Sequence, residues 1–220
     1  MVQMKAAIFD MDGTLVDSLM IWNVLWSEFG RRYANDRSFR PLEVDDKKAR
    51  TLTLKDAMLL IHNNYNFGDS GEELLEIAND MISAFYANQV ELKSGVREFL
   101  EYCKRADVKM CLATATATDL VDLALKHCDI EHYFMKVFSC SDIGKGKEEP
   151  DIFLIASEFL GEKIEDTWVF EDSLVAIETV TKIGMSTVGI YDCFNFGQDR
   201  IKEIATEYIA DGETLVKLIK

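Results

Sequence analysis

Proline is scarce: only Pro41 and Pro150 occur in 220 residues, so no Pro-rich linker interrupts the chain. Positive charge is also in deficit, with 24 Lys and Arg against 39 Asp and Glu, a net −15. That excludes a protein that grips a nucleic-acid backbone, because such binding rests on clustered cations. No apolar stretch approaches the roughly 18 residues of a membrane span, and the short run before Asp10 is too brief for a signal-peptide core. A cytoplasmic protein with no membrane or nucleic-acid partner is expected. The five cysteines are odd in number and lack CxxC spacing, which argues against a zinc ribbon or a closed disulfide framework and for reduced, core-filling thiols.

What the chain does have is a series of short apolar runs. Five read as strands: Lys5 to Phe9, Lys109 to Ala113, Val137 to Cys140, Thr167 to Phe170 and Ser186 to Tyr191. They are apolar on both faces and separated by amphipathic stretches, as buried parallel strands with crossover helices should be. The expected fold class is therefore α/β, a doubly wound parallel sheet. The first crossover differs from the rest, because from Asp17 to about Gln89 only helical periodicity is found. Met20, Ile21, Val24, Leu25 and Phe29 share helical spacing, as do Leu74, Ile77, Ala78, Met81, Ile82 and Phe85, with shorter helices expected around Leu42 to Arg50 and Leu54 to Asn63. The predicted organisation is a core of residues 1–17 and 90–220 with an inserted α-helical subdomain at 18–89. Ser94 reads as the N-cap of the helix that follows.

Polar residues interrupt the apolar runs at their C-terminal ends. The first run ends in Asp10-Met11-Asp12-Gly13-Thr14, the second in Thr114, and the fourth in Glu171-Asp172-Ser173. In an open parallel sheet, ligands bind beyond the carboxyl ends of the strands. Asp10, Asp12, Glu171 and Asp172 would thus share one crevice. Two carboxylates 4 Å apart repel by roughly 4 kcal/mol at an effective dielectric of about 20, so the group calls for a cation. Oxygen-only donors suit Mg2+ better than zinc, and His62, His127 and His132 lie away from these motifs. Asp10 is the candidate nucleophile toward phosphorus, and Asp12 the candidate acid and base. Either Lys145 or Lys147, just before Pro150-Asp151, is placed to steady the phosphoryl oxygens.

At these residues the sequence resembles the haloacid dehalogenase-like superfamily, and the likeness covers nearly the whole chain. DxDGT appears as Asp10 to Thr14, a strand ending in Thr as Leu112-Ala113-Thr114, a lysine before Pro-Asp as Lys147 with Pro150-Asp151, and an acidic pair as Glu171-Asp172, in family order. The resemblance implies a Rossmann-like core with a small helical cap, as in the subgroup of β-phosphoglucomutase and phosphoglycolate phosphatase. It also implies Asp10 as nucleophile, Asp12 as general acid/base and backbone magnesium ligand, Thr114 and Lys147 as phosphate-binding residues, and Asp172, with or without Glu171, completing the metal site. The second aspartate, Asp12, favours phosphate esters over dehalogenation. Trp22 stands where the mutase cap has a histidine, which weakens the mutase reading and makes Trp22 a candidate specificity residue. Glu148 replaces the usual first proline of the lysine motif.

The expected function is a magnesium-dependent phosphatase acting on a small phosphomonoester through an aspartyl-phosphate, in a monomer or weak homodimer. A sugar-phosphate mutase is the runner-up, and a non-catalytic binding protein on the same fold is the third reading. The stripe Trp22, Trp26, Phe29 and Tyr33 reads first as helix-bundle core, and Lys47, Lys48 and Arg50 as a solvated helix face.

Overall fold

The computed structural model describes residues 4–50 and 52–219. The strands, in chain order, are β1 (Ala6–Phe9), β2 (Val16–Asp17), β3 (Glu91–Leu92), β4 (Lys109–Thr114), β5 (Val137–Ser139), β6 (Thr167–Glu171), β7 (Ser186–Ile190) and β8 (Glu207–Ile209). All but β2 and β3 form one parallel six-stranded sheet in the order β5-β4-β1-β6-β7-β8, and β2 pairs antiparallel with β3. The helices are α1 (Ile21–Phe29), α2 (Glu43–Ala49), α3 (Leu54–Tyr65), α4 (Gly71–Asn88), α5 (Val96–Arg105), α6 (Thr118–His127), α7 (Cys140–Ile143), α8 (Asp151–Leu160), α9 (Leu174–Lys182) and α10 (Gln198–Ile204).

All four residues of β1 are buried, so both faces of the central strand are covered. Ala6 and Ile8 join Phe153, Ala156, Val169 and Ala176 in one cluster on the α8 and α9 side. Phe9, on the opposite face, stacks on Phe170 at 4.4 Å between ring centres and meets Phe99 of α5 edge-on at 6.3 Å. The period-two alternation of β1 thus feeds two cores, the arrangement that a doubly wound sheet requires.

The chain divides into two compact units, one running to Ser18 and resuming at Val90, the other Leu19–Gln89. In the second unit, Thr53 and Ser70 cap α3 and α4 by accepting from the amides of Asp56 and Glu73, each at 3.2 Å. Trp26 and Phe29 are fully buried and belong to the bundle core, with half-buried Trp22 packed on Trp26 at 5.4 Å and half-buried Tyr33 continuing the row. The buried face of α1 is Ile21, Leu25, Trp26 and Phe29; Met20 and Val24 are exposed, contrary to expectation, because the indole rings shift the apolar stripe around the helix. A π-helical turn, Gly30–Ala34, follows α1. Glycine is required there, since a Cβ at Gly30 would lie 2.2 Å from the Asp36 carbonyl oxygen.

The five expected strands occur within one or two residues of their predicted ends. β8 and the β2–β3 ribbon carry no apolar run and escaped the sequence pattern. The cap of α5 is Gly95 (φ 79°) and not Ser94, which is exposed and one residue too early. Among the described residues no helix is long and apolar enough to cross a membrane. Cys103 and Cys111 are buried free thiols that burial pushes up to about 12, whereas Cys193 is exposed and departs from the core-filling expectation.

Candidate active site at the carboxyl ends of the parallel strands

The chain leaves β1 for β4 and β5 on one side and later for β6, β7 and β8 on the other, so the switch point lies at β1 and β6. Register then decides which polar residues meet. Phe9 pairs with Phe170, which makes Asp10 and Glu171 neighbours one step on, and the Asp10 amide donates to the Phe170 carbonyl at 3.0 Å. Asp172 follows in the same turn. These three buried acids can each offer an oxygen within 4.8 Å of the other two.

After Asp10 the chain turns sharply. The Met11 carbonyl accepts from the amides of Thr14, Leu15 and Val16 at 2.9–3.3 Å, and Gly13 takes φ 77°, a left-handed conformation that favours glycine. The turn brings Thr14 Oγ1 to Asp172 Oδ1 at 3.1 Å. It also sets the Asp12 carboxylate between two hydroxyls: Ser18 Oγ donates to Oδ1 at 2.6 Å and Thr116 Oγ1 to Oδ2 at 2.7 Å. Thr114, buried at the end of β4, accepts from the Thr116 amide at 3.1 Å.

Lys147 lies in the loop between α7 and α8. Its ammonium donates to both Asp10 and Glu171, and its side chain is 11% exposed. Lys145 instead pairs with Asp151 on the surface at 2.7 Å. Glu148 is exposed, and its carboxylate folds over Gly146. The second oxygen of Glu171 accepts from the Ser173 amide at 2.8 Å.

The electrostatics follow from burial. Asp10 is pushed up to about 8, first by desolvation and then by Glu171 and Asp12, with Lys147 opposing. Asp172 lies well above the usual carboxylate range for the same first cause, with Glu171 and Asp10 adding to it. Burial lowers the Lys147 ammonium, but Asp10 and Glu171 together outweigh it and hold the group charged. Three acids beside one ammonium leave two negative charges when all are ionised. An all-oxygen donor set with that charge fits a hard divalent cation.

The structure therefore brings together Asp10, Asp12, Thr14, Thr116, Lys147, Glu171 and Asp172, with Thr114 one strand away. Trp22 belongs to the helical unit, half-buried with the Arg50 guanidinium 5.9 Å from its ring centre, and Arg50 is tied to Asp46 at 3.1 Å. Ser18 was not recognised from sequence; a serine just past a DxDGT turn gives no signal until the turn closes on it.

A haloacid dehalogenase-like hydrolase family model matches residues 4–184. A phosphorylated carbohydrates phosphatase of Thermotoga maritima is 27% identical over 217 residues, covering 96% of this chain and 97% of that protein. Hexitol phosphatase B of Escherichia coli is 26% identical over 172 residues, covering 78% and 77%. In fold, the CbbY protein of Rhodobacter sphaeroides, solved in complex with phosphate, superimposes with a TM-score of 0.76 at 20% identity, covering 95% of this chain and 94% of that one. With its parallel sheet, its acids gathered at the strand ends and a family match spanning most of its length, this chain belongs to the haloacid dehalogenase-like hydrolases.

Proposed function

We propose that this chain is a magnesium-dependent phosphatase of small phosphorylated metabolites, phosphorylated carbohydrates first among them, working through a phosphoryl group carried on Asp10. The observation that carries the reading is the buried trio Asp10, Glu171 and Asp172 with Lys147 as its cation, a set that is two positive charges short of neutrality once its acids are ionised. When bound, Mg2+ supplies that charge and polarises the phosphoryl oxygens. Asp10, Asp172 and the Asp12 carbonyl are the assigned ligands. Glu171, with its oxygens on Lys147 and the Ser173 amide, serves more as the anchor of that lysine.

In this scheme an Asp10 carboxylate oxygen attacks phosphorus and the bond to the leaving oxygen breaks, while Asp12 donates a proton to the departing alkoxide. Asp12 then takes a proton from water as that water attacks the acyl phosphate. The bond from phosphorus to Asp10 breaks, and inorganic phosphate leaves. Lys147 balances the charge on Asp10 and the transferring group, and the Thr114 hydroxyl with neighbouring amides holds phosphoryl oxygens. Unaided phosphate-monoester hydrolysis is slow enough that about 20 kcal/mol of barrier lowering is needed, and preorganised charge of this kind is its source. The helical unit Leu19–Gln89 is assigned the role of cap, with Trp22 as a specificity residue. The two relatives named as sugar or hexitol phosphatases support the substrate class.

The test is a panel of phosphorylated sugars and other metabolites with Asp10→Asn as the blank. Free phosphate that requires Mg2+ and disappears in the variant supports the reading. An isomeric sugar phosphate in place of free phosphate would make the enzyme a mutase, and absence of any turnover on the panel would favour a binding protein.

A further inference from the structure

Outside the reacting groups, a closed ring of contacts holds Asp172 from behind. Asp172 Oδ1 accepts from Thr14 at 3.1 Å, and Oδ2 accepts from Asn195 Nδ2 at 2.5 Å. The same amide nitrogen also reaches the Asp172 carbonyl at 3.3 Å. The Asn195 orientation is forced: a flipped carboxamide would aim its oxygen at two acceptors.

Asn195 sits in the loop after β7, and that loop is pinned by Asp192. Asp192 Oδ1 accepts from the Phe194 amide at 2.9 Å, and its carbonyl accepts from the Asn195 amide at 3.2 Å and from Gln198 Nε2 at 3.3 Å. Asp192 is buried, and its Oδ2 pairs with Lys93 at 2.8 Å. The Lys93 ammonium also donates to the Tyr191 carbonyl at 3.0 Å. Lys93 directly follows β3, and its own amide donates to the Leu15 carbonyl at 2.9 Å. Leu15 adjoins Thr14, so the path Thr14, Asp172, Asn195, Asp192, Lys93, Leu15 returns to its start.

The chemistry of this support differs from that around Glu171. Lys147 compensates Glu171 with a full charge, whereas Asp172 is held by a neutral hydroxyl and a neutral carboxamide. Neutral donors fix a carboxylate's direction and leave its charge for a cation, as the outer partners of metal ligands do. We infer that Asn195 is a positioning residue that holds Asp172 in its cation-binding orientation, and that the Lys93–Asp192 ion pair holds the loop that presents it. The inference rests on the metal-site reading above.

The test measures Mg2+ binding to metal-free protein directly, by calorimetry and by the Mg2+-induced rise in Tm, together with kcat and KM for a phosphomonoester. Asn195→Ala should weaken Mg2+ binding by about 10- to 100-fold while leaving the substrate KM at saturating Mg2+ within about twofold of wild type. Lys93→Met should weaken Mg2+ binding in the same direction. The double variant should lose less than the product of the single losses, since both act through one loop. Asn195→Ala protein that binds Mg2+ as wild type does, in an enzyme that still releases phosphate, overturns the inference and leaves the hydrolase reading intact. So does a variant in which Mg2+ affinity and metal-free Tm fall while the substrate KM rises with them, the mark of a merely structural loop. If the alanine protein does not fold, the Mg2+ titration of Lys93→Met decides: unchanged affinity overturns the inference. Wild-type protein that binds no divalent cation overturns both readings.

Discussion

The Lys147 ammonium donates to Asp10 across 137 positions of sequence, while Lys145, two residues earlier, turns outward to Asp151. The two lysines are equivalent in composition and opposite in environment. The buried one neutralises part of an acid cluster, and the other forms an exposed pair that solvent screens.

Lys147→Met should therefore abolish phosphate release by about a thousandfold or more. Removing one partner of a buried ionic cluster should also destabilise the metal-free protein, by about 3–5 kcal/mol. Lys145→Met should stay within about twofold of wild type in both respects. Steady-state kinetics and thermal melts of the two variants check this, and comparable losses in both would contradict the placement.

The raised acids make the metal-free protein pH-sensitive. Asp10 ionises near its ordinary 3.8 when unfolded and at about 8 when folded, and Asp172 moves the same way. Between those values the folded state retains protons that the unfolded chain has released, so stability falls as pH rises through that window and the loss is complete above it. A cation needs the ionised acids, so Mg2+ should raise Tm more at about pH 8 than at about pH 5.5. Melts with chelator and with Mg2+ at both pH values test the sign; an equal gain at both would refute it.

Asp12 is steered by Ser18 and Thr116, one hydroxyl on each carboxylate oxygen. Thr116→Val removes one donor from a half-buried carboxylate at a stability cost of about 1 kcal/mol. Its larger effect should be on kcat, about tenfold or more, because proton transfer depends on the carboxylate's direction. Thr116→Ser, which keeps the hydroxyl, should recover most of the loss. A valine variant with wild-type kcat would remove Thr116 from this role.

Thiol chemistry should report burial one residue at a time. Cys103 and Cys111 are buried and pushed up to about 12, so they should resist alkylation in the native state, and exposed Cys193 should react first. Because Cys193 is itself raised, first by desolvation and then by Asp192, labelling should be slow at neutral pH and quicken as pH rises. Peptide mapping after partial alkylation identifies the site; early modification of Cys103 or Cys111 would contradict the packing.

Apolar periodicity made β1, β4, β5, β6 and β7 and the helical insertion legible, because a strand buried on both faces must be apolar throughout and a helix must repeat its buried stripe. β8, with the sequence Glu207-Tyr208-Ile209, stayed hidden as a short edge strand with one buried side chain. The acids of the site were legible too, since Asp10, Glu171 and Asp172 interrupt or follow apolar runs where solvent alone gives no reason for them.

Partner choice among polar groups was decided only in three dimensions. Phe9 pairing with Phe170 makes Asp10 and Glu171 neighbours, the turn at Gly13 carries Thr14 to Asp172, and the loop after β7 brings Asn195 to the same carboxylate. The residue pattern of this chain determined which segments become strands and helices and which carboxylates end them, because those are local consequences of burial. Which lysine meets those carboxylates, and which neutral side chains hold them, followed only from strand order and loop closure, because a hydrogen bond depends on position in space and leaves no period in the sequence.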